Sequence, residues 1–313
     1  KRQVGSTFKP FVYATAINQL KLSPCDEYPN TLYTIPKGKY GIPKAWTPKN
    51  SGEKYGGTLS LKKALANSVN VISARLIDMV GPQNVIRLAQ AAGITNRIPS
   101  GPSIALGSVE LTLYEMVSAY AMFANKGLRV EPMMITRIED KNGTVLDQFT
   151  PETKEVLSEE SAYVVIDLLK GVTTGGSGIR LRTKSERPGY VTGYPYGFAN
   201  PIAGKTGTTQ NHTDGWFMGV VPNLATGVWT GGEDRAIHFE GIGKGQGASM
   251  SLPTWAIFMR KCYEDPTLNI SKEDFEKPEN EISIRLNCDG QPKVTDEKDE
   301  NKKPEIKKGD IDF

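Results

Sequence analysis

Three short apolar stretches crowd the second half of the chain: IAGKTGTT (residues 202–209), DGWFMGVVP (214–222) and ATGVWTGG (225–232). Their close spacing, with the turn pair Pro222-Asn223 between the last two, predicts an antiparallel meander. A sheet of this kind needs apolar layers to cover it, and the rest of the chain supplies helical patterns. Phe8, Phe11, Val12, Ala16 and Leu20 recur at helical spacing from Ser6 to about Gln19, and Pro10 is tolerable only near that helix's start. Further helical patterns run over 59–66, 71–80, 82–92, 113–126 and 159–170, with Thr112 and Glu115 in capping-box register and Gly127 just past the end of the fourth. Pro253 opens a last helix that runs to about Cys262. Asn142-Gly143, between MITRIED and TVLDQF, marks a hairpin. The expected class is α/β (α+β), helices together with an antiparallel sheet.

Between these elements the pattern weakens. Residues 21–58 are rich in Pro, Gly and Tyr and predict an irregular surface excursion. GVTTGGSG (171–178) reads as a mobile loop, and the Gly-rich 241–247 as a flexible one. Beyond Gly290 the chain is charged and nearly without apolar residues, the composition of a disordered tail. The resulting division is 1–262 as the main domain, 263–290 as an extension and 291–313 as the tail.

Composition excludes some classes of function. The net charge is +3, from 38 basic and 35 acidic residues, which is no nucleic-acid-binding field. No apolar run approaches the roughly 18 residues of a membrane span, and KRQVG at the start is not a signal peptide, since no apolar segment follows the basic pair. Cys25, Cys262 and Cys288 contain no C-x-x-C pair, and His212 and His238 add no ligand spacing, so no metal or cofactor is expected. The cysteines allow one disulfide with an odd thiol, in an extracytoplasmic protein, or three unpaired thiols. The segment 198–206 has Ala199 where a P-loop needs Gly, and a strand follows it where a helix should. His212, among turn-like polar residues, reads as a surface histidine; Trp216 and Trp229 read as sheet packing, and Tyr194 and Tyr196 as cleft residues.

Ser6-Thr7-Phe8-Lys9 carries the first chemical signal. Three residues along a helix is about 300° and roughly 4.5 Å of rise, so both functional side chains share a face. A serine hydroxyl needs a base to become a nucleophile, and burial or a second cation can bring a lysine down to about 7–8, where it serves as one. Ser68-Val69-Asn70 lies between two helical segments, where a hydroxyl and an amide can leave a turn together. Lys205-Thr206-Gly207-Thr208 lies on a predicted strand. Lysine and threonine there supply a cation and hydroxyls for a carboxylate, and Gly207 leaves room for another backbone to approach.

These pieces, in this order, form the pattern of β-lactamases and penicillin-binding proteins, with Val69 replacing the usual Asp. The stretches GSTFKPFVYATAI and GKTGTTQNHTDGWFMGVVPNLATGVWTGGED closely resemble class A penicillin-binding proteins, and the resemblance covers about residues 1–262. It implies the penicillin-binding protein/serine β-lactamase-like fold, a five-stranded antiparallel sheet flanked by helices on both faces, whose first two strands precede the nucleophile helix; only five residues precede Ser6 here. It also implies a peptidoglycan D,D-transpeptidase that acts on D-Ala-D-Ala stem peptides and is acylated by β-lactam antibiotics. Ser6 is then the nucleophile, Lys9 its base, Ser68 a proton relay, and Asn70 and Lys205 the groups that hold the network. The backbone N–H groups of Ser6 and Thr208 form the oxyanion hole, and Thr206, Gly207 and Thr208 bind the terminal carboxylate. No E-x-x-L-N sequence, the setting of a deacylating glutamate, lies between Asn70 and Lys205. A D,D-carboxypeptidase and a silent scaffold fragment are the competing readings. The resemblance further implies an upstream part of the same protein, with a glycosyltransferase domain and an anchor, on the extracytoplasmic face of the bacterial cytoplasmic membrane.

Overall fold

The computed structural model describes residues 1–182 and 194–288. The chain opens with a two-residue strand, β1 (Arg2–Gln3), and a 3-10 turn over Gly5–Phe8, and only then enters helix α1 (Lys9–Leu20). Ser6 therefore sits on the tighter turn that feeds the helix. Pro10 lies in the first helical turn, where its missing N–H has no partner to lose. Phe11 to Ile17 are all fully buried, so α1 is apolar on every side and occupies the centre of the molecule. Phe8, Phe11, Tyr120 and Phe123 form an aromatic cluster at its start, with ring centroids 5.2–5.8 Å apart.

The excursion at 21–58 contributes a strand, β2 (Glu27–Pro29), which pairs with β3 (Thr58–Ser60). The residues expected to begin a helix at 59 thus finish a strand first, and α2 (Leu61–Ala66) starts after Ser60, whose hydroxyl accepts from the Lys63 N–H. Next come α3 (Asn70–Val80), α4 (Pro82–Ala91), β4 (Glu110–Leu111), which pairs with β1, and α5 (Leu113–Ala124), whose start carries the full Thr112/Glu115 capping box. Strands β5 (Leu128–Val130) and β8 (Thr153–Glu155) pair, and between them β6 (Arg137–Glu139) and β7 (Val145–Gln148) form the hairpin turned at Asn142-Gly143.

Helix α6 (Glu159–Thr174) runs four residues further than its periodicity indicates, so half of the expected mobile loop is helical. The remainder is packed: the Ser177 N–H donates to Ala66 O at 2.9 Å. The meander forms as β9 (Ala203–Thr208), β10 (Asp214–Val221) and β11 (Leu224–Gly231), all antiparallel in the order β11-β10-β9, with Pro222-Asn223 joining the paired residues Val221 and Leu224. Among the described residues this sheet has three strands where the family fold was expected to carry five, and β1 pairs with β4 instead. The supposed flexible loop at 241–247 winds into short turns, α7 (Ile242–Gly245) and α8 (Gly247–Met250), before α9 (Leu252–Glu264).

Alternation along β10 sorts its side chains between two cores. Trp216, Met218 and Val220 join the helical body around α1, α5 and α6, while Phe217 and Val221 meet Leu252, Trp255 and Met259 of α9 on the other face. The sheet is covered on both faces, as expected. After α9 the chain returns across the body: Phe275 and Ile284 bury their side chains, Lys170 pairs with Asp274, and Glu160 accepts from the Ser283 and Ile284 N–H groups. A disulfide between Cys25 and Cys288 ties this return to the segment between α1 and β2, and Cys262 is a buried free thiol. The charged tail expected at 291–313 lies outside the described residues.

Candidate active site

Four segments meet at one place: the Gly5–Phe8 turn, the α2–α3 junction, β9, and the start of α8. The turn and β9 touch backbone to backbone. A side chain at Gly5 would come within 2.7 Å of Thr208 O, and one at Gly207 within 2.8 Å of Val4 O. Glycine at both positions lets the nucleophile turn rest directly on the strand. Tyr120 fixes the turn from α5, donating its hydroxyl to Thr7 O at 2.5 Å.

Ser6 is half-buried, and among the described residues its hydroxyl makes no hydrogen bond. Its N–H lies in the first turn of a helical segment, where N–H groups lack intrahelical partners. Just past the end of β9, the Thr209 N–H donates to Asp214 O in the neighbouring strand. Amide directions alternate along a strand, so the Thr208 N–H faces the opposite way, on the side of Gly5.

Lys9 is completely buried, and its amine turns to the α2–α3 junction. Nζ donates to Ser68 O (2.6 Å), Ser68 Oγ (3.2 Å) and Asn70 Oδ1 (2.6 Å). Lys205 is also completely buried and donates to the same Ser68 Oγ at 3.0 Å, and to Thr206 O at 3.0 Å. One hydroxyl therefore receives two lysines, from α1 and from β9. Among the described residues no carboxylate hydrogen-bonds to Lys9, Ser68, Asn70 or Lys205. Burial drives the Lys9 ammonium well below its ordinary value, and the Lys205 charge adds to the effect. Burial alone pushes Lys205 down to about 7. The site thus holds an amine that can be neutral near neutral pH beside a serine.

Ser68 reaches this position at a backbone cost. Its φ is +57°, left-handed for a residue with a side chain, where a helix end commonly uses glycine. The Ser68 and Val69 N–H groups close the end of α2 onto Leu65 O and Ala64 O.

The hydroxyls of β9 have partners that the motifs do not reveal. Ser177 Oγ and Thr206 Oγ1 lie 2.6 Å apart, and Thr208 Oγ1 accepts from the Gly247 N–H at 3.1 Å. Gly247 has no space for a side chain, since a Cβ would lie 2.3 Å from Gly207 O. Both partners fall in the Gly-rich stretches read as loops; the only signal was their richness in glycine. Arg180 donates to Ser249 Oγ at 2.7 Å and lies over the Tyr194 ring, which stacks on Tyr196. Trp216 is buried and donates to Gln3 O, and Trp229 donates to Asp214 Oδ1, both in the sheet as expected. His212 differs from expectation: it sits half-buried with its Nδ1 enclosed, because the 237–245 segment folds over it.

The chain is similar to proteins of known family. The family model described as the penicillin binding protein transpeptidase domain matches residues 1–231. Penicillin-binding protein 1A of Aquifex aeolicus is 33% identical over 306 residues, 94% of this chain and 38% of that protein. Penicillin-binding protein 1A of a Neisseria meningitidis serogroup A strain is 31% identical over 267 residues, 83% of this chain and 31% of that protein. The chain thus spans about a third of the length of these curated relatives. The crystal structure of penicillin-binding protein 1A from Haemophilus influenzae superposes with a TM-score of 0.72 at 27% identity, covering 90% of this chain and 44% of that one. PonA1 of Mycobacterium tuberculosis, solved in complex with penicillin V, shares the fold with a TM-score of 0.73 at 23% identity, covering 93% of this chain and 75% of that one.

Proposed function

The chain belongs to the penicillin-binding protein transpeptidase family, and on that premise we propose that it is a peptidoglycan D,D-transpeptidase acting through an acyl-serine. Ser6 Oγ attacks the penultimate D-alanine carbonyl of a stem peptide, and neutral Lys9 takes its proton. The N–H groups of Ser6 and Thr208 receive the developing oxyanion, typically worth about 2.7–4 kcal/mol per donor. Collapse of the tetrahedral intermediate breaks the amide bond, and the leaving D-alanine amine takes its proton through Ser68. Asn70 and Lys205 hold that relay in place. The Thr206 and Thr208 hydroxyls, set by Ser177 and Gly247, bind the terminal carboxylate. An acceptor amine then attacks the acyl-enzyme, forming the cross-link and freeing Ser6. A β-lactam enters by the same attack, its ring amide replacing the peptide bond.

The observation that carries this reading is the meeting of two fully buried lysines on Ser68 Oγ, at 3.2 and 3.0 Å, beside the Ser6 turn. A silent scaffold would gain nothing from burying two amines without a carboxylate. The Cys25–Cys288 disulfide fits an oxidising, extracytoplasmic compartment. An upstream glycosyltransferase domain and membrane anchor in the full-length protein, on the periplasmic side, belong to the same proposal.

Transpeptidase and carboxypeptidase share the acylation and differ in what takes the acyl group. A D-alanyl thioester donor, incubated with and without a D-amino acid as acceptor, separates them. The expected result is an aminolysis product that grows with acceptor concentration at the expense of hydrolysis. Hydrolysis alone at every acceptor concentration would make the protein a carboxypeptidase.

A further inference from the structure

We infer that Asn50, in the irregular excursion between β2 and β3, is a positioning residue for the reaction: it sets the Asn70 amide that holds Lys9. This rests on the acylation reading above and concerns a residue that contacts neither substrate nor Lys9.

Helix α3 begins at Asn70, and its N-cap is Val69, which has no side-chain oxygen to offer the first N–H groups. Asn50 provides one from twenty residues upstream. Its Oδ1 accepts from the N–H groups of Asn70 (3.0 Å) and Val71 (3.1 Å). Its Nδ2 donates to Asn30 Oδ1 (2.8 Å) and Lys54 O (2.9 Å). Asn50 is 8% exposed, and all four bonds use its short side chain. The surrounding loop is itself anchored, with the Gly56 N–H on Asn30 O and the Asn30 N–H on Gly57 O.

The neighbouring residue finishes the arrangement. Lys49 O accepts from Asn70 Nδ2 at 2.7 Å. An amide side chain has a donor end and an acceptor end, so a carbonyl fixed on one end dictates what the other presents. With Nδ2 committed to Lys49 O, Oδ1 must face Lys9 Nζ, where it accepts at 2.6 Å. Asn50 thus holds both the backbone of Asn70 and, through its own peptide, the carbonyl that orients the Asn70 side chain. An excursion that reads as surface decoration reaches the base of the reaction through two amides.

The consequence is specific to Lys9. An acceptor on an ammonium favours the charged form, so loosening Asn70 makes Lys9 both less well aimed and less basic. The other charged group facing Lys9 is Lys205 from β9; from α5, Tyr120 places only a hydroxyl on Thr7 O, and from the loop, the Lys49 ammonium pairs with Glu53.

The test is the rate of acylation by benzylpenicillin between pH 5 and 8, followed by intact mass, with thermal melting on each variant. Asn50→Ala is expected to slow acylation about ten-fold or more at pH 7, and to move the acid limb of the profile down by about one pH unit, the effect of one lost charge-assisted hydrogen bond. Asn50→Asp keeps the acceptor at the helix start and is expected to recover most of the rate. Asn50→Gln keeps an amide that cannot span the same anchors, and it should show the limb shift even if the alanine variant does not fold. Ser158→Ala removes an ordinary cap, that of α6, and serves as the control: a lower melting temperature with rate and limb unchanged. If the folded Asn50 variants matched Ser158→Ala in both rate and limb, the positioning role would be overturned. If the unaltered protein were not acylated at all, the acylation reading would fall first and this inference with it.

Discussion

Replacing Lys9 by methionine is expected to slow acylation of Ser6 by about 10²–10⁴-fold, the usual range for loss of a general base, while the protein stays folded. Two opposing effects keep the fold nearly neutral to the change. Methionine fills a similar volume and removes an amine that burial already penalises. Against that, Ser68 O, Ser68 Oγ and Asn70 Oδ1 each lose a donor, at about 1–3 kcal/mol for each buried acceptor left unpaired. Lys205 still donates to Ser68 Oγ, so the junction is not emptied. The measurement is the second-order rate of acylation by a β-lactam, set beside a melting curve. A rate within a few-fold of the unaltered protein would remove Lys9 from the role of base.

Acidification is expected to stop acylation with the fold intact, through an acid limb that falls about ten-fold per pH unit once the buried lysines take up protons. Lys9 and Lys205 face the same hydroxyl, so their protons leave as a pair and the limb belongs to both. When both are charged, no amine is free to take the proton of Ser6. The same shifts carry a sign for stability. Each lysine has a folded value depressed below the 10.5 of an unperturbed lysine, to about 7 for Lys205. Between those values the unfolded chain binds protons that the folded chain does not, so the contribution of these lysines to stability rises with pH. It is complete above 10.5 and is lost as pH falls toward 7. A flat acylation profile from pH 5 to 8 would contradict the assignment.

Much of this was legible in the sequence, and what was hidden has a common cause. The meander could be read because alternation and turn residues are local, and β10 and β11 meet across Pro222-Asn223 as their sequence indicates. The capping box of α5 is local too. The three motifs could be read because each is a contiguous stretch. Residues such as Asn50, Ser177 and Gly247 could not. Each is a single residue in a segment without periodicity, and its meaning lies in a hydrogen bond to a partner 20 to 39 residues away. Gly-rich stretches look alike in sequence whether glycine serves freedom of motion or, as at Gly247, the absence of space. The 3-10 turn at Ser6 was read as helix because its apolar spacing continues smoothly into α1.

The central claim is that Ser6 is a nucleophile that becomes acylated, and intact mass after incubation with benzylpenicillin tests it most directly. The unaltered protein is expected to gain the mass of one penicilloyl group and to keep it for the duration of the experiment, and Ser6→Ala is expected to gain none. An adduct on Ser6→Ala, or none on the folded unaltered protein, would contradict the account.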